Sequence, residues 1–204
     1  MHKEILNQDQ IELLPLLKEF KREFYLVGGT AIALYLVHRR SIDFDLFKPT
    51  SFSAKKIITK IVAHQLDYKV TRNVSEQLNL IISEVKFTFF EYPFPIHPEL
   101  KFENYIKVPS LIDLSAMKAY ALGRRSKWKD YVDLYFILKS HYTVSQIARR
   151  AEDIFGQLFS EKLFRAQLCF FKDIDYTETV DYLVPFVSED EIKLFLIQKA
   201  TDIS

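Results

Sequence analysis

Polar and apolar residues alternate strictly over Ile42-Asp43-Phe44-Asp45-Leu46-Phe47. A period of two predicts a strand with Ile42, Phe44 and Leu46 on one face and Asp43 and Asp45 on the other. Phe24–Val27, Tyr68–Val74, Leu78–Ile82 and Val85–Tyr92 also read as strands, and Ser83-Glu84 as a tight hairpin turn between the last two. Elsewhere the spacing is helical. Residues 3–21 form one or two short helices, with Pro15 at a break or in a first turn. Ala31 to Val37 is a short apolar helix. Residues 51–65 predict a helix capped by Ser51 or Ser53, with Ile57, Ile58, Ile61 and Val62 buried and His64 on the surface near its end. The second half reads as helices alone. Residues 110–123 start at Ser110, with Asp113 as its capping-box partner. Residues 127–139 turn Val132, Tyr135, Phe136 and Leu138 inward. Residues 144–155, 160–171 and 188–201 follow, the last capped by Ser188 with acids in its first turn. Pro93, Pro95 and Pro98 interrupt both periods, so a linker and a domain boundary are expected near residue 100. The sum is an α+β arrangement: a strand-containing region over 1–100 and a helical region over 101–204.

Composition narrows this picture. With 204 residues, 49% apolar, the chain can bury a sizeable core, and 18 Phe and 11 Tyr predict that it is rich in phenylalanine. A net charge of +1 gives no global field for nucleic acid, so such contact needs a local patch. The single Cys169 excludes an intrachain disulfide and a cysteine-based zinc site; its neighbours Leu168 and Phe170 predict a core thiol in a reducing compartment. The opening MHKEILNQDQIELLPLL has acids and glutamines where a signal peptide needs an apolar core. No apolar run approaches the roughly 20 residues of a membrane span. The expectation is a cytoplasmic protein with no membrane partner.

Two carboxylates on one strand face, about 7 Å apart, repel unless a cation sits between them. A hard divalent ion is the natural occupant. Just upstream, Gly28-Gly29-Thr30 opens a helix. Glycine lets backbone N–H groups approach a ligand, and a helix N-terminus favours anions. Metal ligands beside a phosphate cradle describe a nucleotide-handling site.

Gly-Gly followed after a spacer by Asp-x-Asp resembles the nucleotidyltransferase superfamily. GGTAIAL, HRRSIDFDLF and DLSAMKAYALGRRSKWKDYVDLYFIL (113–138), in that order, resemble the AbiEii/AbiGii toxin family of bacterial toxin–antitoxin and abortive-infection systems. The resemblance implies an N-terminal nucleotidyltransferase-like mixed β-sheet flanked by helices, followed by a C-terminal helical bundle. It implies a magnesium-dependent transfer of NMP from an NTP to an acceptor hydroxyl, with RNA such as a tRNA 3′ end, or a protein hydroxyl, as acceptor, and a cognate antitoxin as partner. Asp43 and Asp45 would hold Mg²⁺, with room for two ions. Asp43, Asp45, Lys118 and Asp130 would be catalytic. Gly28, Gly29, Thr30, Arg39, Ser41, Lys118, Arg125 and Lys129 would serve the nucleotide and its phosphates. Asp133 would orient neighbouring basic groups, and Arg39 would contact phosphate or buttress Asp43.

The chain departs from the superfamily pattern at one point. A further metal carboxylate is expected on the strand beside Asp-x-Asp, and that place holds Thr88. Glu91 is the nearest acid on the strand, but parity puts it on the other face unless a bulge intervenes. A competing reading follows: a catalytically inactive fold that binds nucleotide, RNA or a protein partner. The cluster Lys118, Arg124, Arg125, Lys127 and Lys129, next to Asp130 and Asp133, reads by itself as a solvated, salt-bridged face. His38 reads as a turn or packing residue.

Overall fold

In the computed structural model, which describes residues 1–202, one sheet is built from β1 (Tyr25–Val27), β2 (Phe44–Lys48), β3 (Lys69–Val74), β4 (Gln77–Ile82), β5 (Val85–Glu91), β6 (Leu100–Phe102) and β7 (Ile106–Val108). The order is β3-β4-β5-β2-β1-β7-β6. It is mixed: β2 runs parallel to β5 and β1 to β7, while the other neighbours are antiparallel. Ser83 and Glu84 both take positive φ, as a two-residue hairpin turn between right-twisted strands requires.

The core face carries Phe44, Leu46, Leu78, Leu80, Ile82, Phe87 and Phe89, all fully buried. Phe20 and Phe24 pack edge-on against Phe89, with ring centroids 4.8 and 5.3 Å away. Such pairs add about 0.5–1.5 kcal/mol each beyond their buried area. The helices of this unit are α1 (Gln8–Glu12), capped by Asn7; α2 (Leu14–Lys18), with Pro15 in its first turn; α3 (Gly28–Leu36); and α4 (Ala54–Ala63), capped by Ser53. On α4, Ile57 and Ile61 are buried but Val62 is exposed, so the apolar stripe is narrower than expected.

β6 and β7 escape sequence reading because three residues are too few to show a period. The sheet continues past the prolines, and the first compact unit comprises Met1–Tyr35 and Ser41–Ser110, not residues 1–100. The second unit comprises Leu36–Arg40 and the chain from Leu111. Where the chain leaves α3, Val37 sits at φ +54, a costly conformation for a β-branched residue.

The second unit holds α5 (Leu111–Leu122), α6 (Trp128–Ser140), α7 (Val144–Phe155), α8 (Glu161–Leu168) and α9 (Glu189–Thr201). α5 packs on α6, α7 and α8, and α9 on α6 and α8. Thr143 and Gln146 form a capping box at α7, and Ser160 and Ser188 cap α8 and α9. Asp113 accepts from Arg150 Nε at 2.6 Å, a partner its predicted capping role did not include. Cys169 ends α8 and is exposed, not a core thiol. Among the described residues no helix is long and apolar enough to cross a membrane.

Candidate functional site

In the sheet unit, β1 delivers the chain to Gly28, which opens α3 at φ +74. The β1–β2 register sets Val27 opposite Asp45. A Cβ on Gly28 would lie 2.2 Å from Asp45 Oδ2, so only glycine leaves this carboxylate its place. Two residues on, buried Thr30 turns its hydroxyl to the backbone carbonyl of Asp43 and lies 3.0 Å from Ser41 Oγ. Gln10 Nε2 donates to the Ser41 carbonyl at 3.0 Å. The segment 41–43 is thus pinned from α1 and α3.

That pinning corrects the alternation read from sequence. β2 begins at Phe44, Ile42 is 50% exposed, and Asp43 stands ahead of the ladder while Asp45 stands in it. Both carboxylates are half-buried. Thr30 and Ser41, expected as phosphate contacts, bond each other and the backbone instead, and so position Asp43.

The β2–β5 register answers the question of a third acid. Thr88 lies opposite Asp45, and Glu91 lies opposite Lys48, three positions on and on the core face of the sheet. Lys48 Nζ sits 5.5 Å above the Phe24 ring on that face. Glu91 is therefore not brought to Asp45. Among the described residues no three His, Cys, Asp or Glu side chains are grouped to hold a metal. Two carboxylates fit magnesium nonetheless: Mg²⁺ typically takes one or two protein carboxylates and completes its shell with water and substrate phosphate oxygens. The space kept by Gly28 leaves Asp45 Oδ2 in place for such an ion.

In the helical unit, Asp133 on α6 is fully buried and is the hub of an ion-pair network. Arg39 grips it with two bonds, Nε to Oδ1 at 2.7 Å and Nη2 to Oδ2 at 2.9 Å. Lys118 Nζ on α5 lies 2.9 Å from Asp133 Oδ2 and 2.7 Å from Asp130 Oδ1. Arg125, half-exposed, forks onto Asp130. His38 Nε2 donates to Asp133 at 2.8 Å, and its buried Nδ1 has no partner among the described residues.

The charges of this network follow from burial set against neighbours. Burial alone would raise the Asp133 carboxyl, but Arg39 and Lys118 hold it well below the ordinary range. Burial likewise opposes ionised Asp130, and Lys118 and Arg125 win. Burial would also strip the proton from Lys118, yet Asp130 and Asp133 push its pKa up. For His38, burial outweighs Asp133 and lowers the pKa, so the ring is neutral. Among the described residues Arg39, Lys118 and Arg125 thus face Asp130 and Asp133, and Glu178 also acts on Arg39.

Arg39 thus buttresses Asp133, not Asp43, and each of its three guanidinium nitrogens already donates once, to Asp133 or to the Arg40 carbonyl. Lys129 lies 3.3 Å from Glu178 Oε2, and Lys127 also pairs with Glu178. Arg124 lies 3.4 Å over the Tyr120 ring. Sequence reading missed Glu178, and missed that His38 and Arg39 belong to Asp133. These partners are separated by roughly 50 to 95 residues with no periodic signal to join them.

Comparison with known proteins agrees with this architecture. MenT4, a nucleotidyltransferase toxin of Mycobacterium tuberculosis, superposes with a TM-score of 0.62 at 13% identity, covering 95% of this chain and 82% of its own. JHP933 of Helicobacter pylori gives 0.56 at 18% identity, covering 96% and 91%. At these identities the likeness is one of fold. An uncharacterised protein of Aquifex aeolicus, aq_aa25, is 34% identical over 126 residues, and that match spans 58% of this chain and 59% of the relative's length. The family profile described as "Nucleotidyl transferase AbiEii toxin, Type IV TA system" matches residues 16–192. With most of its length inside that match, the chain belongs to the AbiEii nucleotidyl transferase toxin family.

Proposed function

We propose that this protein transfers a nucleoside monophosphate from an NTP to an acceptor hydroxyl, with an RNA 3′ end such as that of tRNA as acceptor, and acts as the toxin of a toxin–antitoxin pair in the cytoplasm. The observation that carries this reading is Asp45 seated against Gly28, with Asp43 pinned two residues upstream. Asp43 and Asp45 would hold Mg²⁺. When bound, the metal supplies charge stabilisation on the phosphate oxygens and a lower pKa for the attacking hydroxyl. The hydroxyl oxygen bonds to the α-phosphorus as the bond to the β-phosphate oxygen breaks. Pyrophosphate leaves with that electron pair, and the hydroxyl proton passes to solvent.

Gly28 and Gly29 present the first amides of α3 to an anion, where the helix dipole favours negative charge. Thr30 acts through Asp43 by fixing its backbone. In the helical unit, half-exposed Arg125 is proposed as a contact that neutralises phosphate, and Lys129 as a further phosphate contact. Asp130 accepts from buried Lys118 and from Arg125, and so holds Arg125 in place for that role.

The test is incubation of pure protein with each labelled NTP, Mg²⁺ and total RNA. Label should move to RNA with release of pyrophosphate, and Asp43→Ala and Asp45→Ala should abolish it. Absence of transfer, with Asp43→Ala as toxic in cells as the wild type, overturns the reading. Calorimetry with Mg²⁺ and NTP separates a merely nucleotide-binding fold from an enzyme: the former binds but releases no pyrophosphate.

A further inference from the structure

Resting on the acceptor reading above, we infer that a single-stranded polynucleotide acceptor is held across the open face of β5, β4 and β3 by Lys86, Lys69 and Arg72. The face is open because β4 alternates: Leu78, Leu80 and Ile82 are buried, while Gln77, Asn79 and Ile81 on the other side are half-buried. The cross-strand register carries one row from Asp45 through Thr88 and Asn79 to Arg72. The next row holds Lys86, Ile81 and Lys69. With strands about 4.8 Å apart, Arg72 stands about 14 Å from Asp45 across the sheet.

Lys69 and Arg72 are three residues apart, so in a regular strand they would face opposite ways. The register shift between Val70 and Arg72 changes that, and both face the side of Asp45. Bulges re-aim side chains in this way and are frequent beside active sites. Protection of an edge strand would account for charges on β3 alone. It does not account for Lys86, which lies on β5, an interior strand. All three cations are exposed, and none has a carboxylate oxygen within 4.0 Å among the described residues.

Arg72 lies near enough to Glu76 to help lower that carboxyl, yet it and the two lysines form no close ion pair among the described residues, and exposed cations on the same sheet face as Asp45 suit an anion that extends away from it. A phosphodiester chain with its 3′-hydroxyl at Asp45 is long enough to span the row. The adjoining row offers half-buried Phe47 and Phe90, ring centroids 5.2 Å apart, for stacking of bases. These features favour a polynucleotide over an acidic peptide.

The test is fluorescence anisotropy of the full chain with a short 5′-labelled single-stranded RNA bearing a free 3′-hydroxyl, over a salt series. Lys69→Ala/Arg72→Ala should raise the Kd roughly tenfold and flatten the slope of log K against log salt by about 1.4, two phosphate contacts at about 0.7 each. Arg72→Lys should keep the wild-type slope. Lys101→Ala/Lys107→Ala, an equal charge loss elsewhere on the sheet unit, should change neither quantity. Affinity for Mg²⁺ and NTP by calorimetry and the melting temperature should match wild type in every variant. A wild-type Kd and slope in the Lys69/Arg72 variant, or an equal loss in the control pair, overturns the inference. So does a wild type that transfers NMP to peptide but binds no RNA, and that outcome leaves the transferase reading standing. Conversely, RNA held by these residues but never labelled upholds the surface and fails the transferase reading.

Discussion

Gly28 and Asp45 are in contact where a methyl group cannot be added: its carbon would stand 2.2 Å from Asp45 Oδ2. Gly28→Ala must turn the carboxylate away and also place an L-residue at φ +74, a strain of about 1–2 kcal/mol. A misplacement of about 1 Å can cost about 100-fold in rate. The expected outcome is a folded protein, by circular dichroism, with a lowered melting temperature and nucleotidyl transfer down at least about 100-fold. Retention of wild-type transfer would separate Asp45 from the chemistry.

Thr30 works on the other aspartate. Its hydroxyl is buried against the Asp43 carbonyl and Ser41. Thr30→Val keeps the shape and removes the donor, leaving a carbonyl poorly satisfied at a cost of about 1–3 kcal/mol. Stability in urea should fall by about that amount, Mg²⁺ affinity should drop several-fold, and Thr30→Ser should restore both.

The register that sets Thr88 beside Asp45 invites a gain-of-binding test. Thr88→Asp places like charges directly opposite, which destabilises a sheet. Without metal its melting temperature should be lower than that of wild type. With Mn²⁺ or Mg²⁺ the rise in melting temperature should be larger, because a tighter site contributes RT ln(1 + [L]/Kd). Equal shifts in the two proteins would show that Thr88 does not border the metal position.

What could be read from the residues alone divides by the range of the interaction. The glycine turn, the Ser53 and Ser188 caps, the Ser83-Glu84 turn and helices such as α7 are local, and periodicity and turn chemistry revealed them. Short range alone is not enough: β6 and β7 are too brief to show a period, and Ile42 fits an alternation that the fold keeps only from Phe44 onward. Asp43 and Asp45 were visible as a pair, but the hand that pins Asp43, Thr30, was read as a phosphate ligand. Nothing local marks Asp133 as the partner of His38 and Arg39, because a buried ion-pair hub is a property of packing. Cys169 looked apolar by its neighbours, yet it ends a helix on the surface.

That hub makes a stability prediction. Asp133→Asn leaves the buried charges of Arg39 and Lys118 undercompensated, and breaking one partner of a buried pair costs about 3–5 kcal/mol. Denaturant titration should show a loss of that size. A half-exposed pair such as Lys139–Glu191 should show less than about 1 kcal/mol when Glu191→Gln removes it. Similar losses at the two sites would deny Asp133 its place as the hub.

The same groups fix the shape of stability against pH. His38 has a lowered pKa in the fold, so the unfolded chain binds its proton first and stability declines as pH falls below about 6.5. Asp130 and Asp133 are also lowered; their contribution is fully present above about pH 4 and is lost as pH falls through their folded values. Lys118 is raised, so its contribution is fully present below about pH 10.4 and is lost as pH rises through its folded value. Buried Tyr25, also raised, adds to the alkaline loss. Urea midpoints should therefore form a plateau between about pH 6.5 and 10, with a first decline below it that belongs to His38 and a steeper one below about pH 4. His38→Gln should remove the first decline and leave the second. If wild type and variant run parallel from pH 7 down to about pH 4, the neutral, buried state of His38 is refuted.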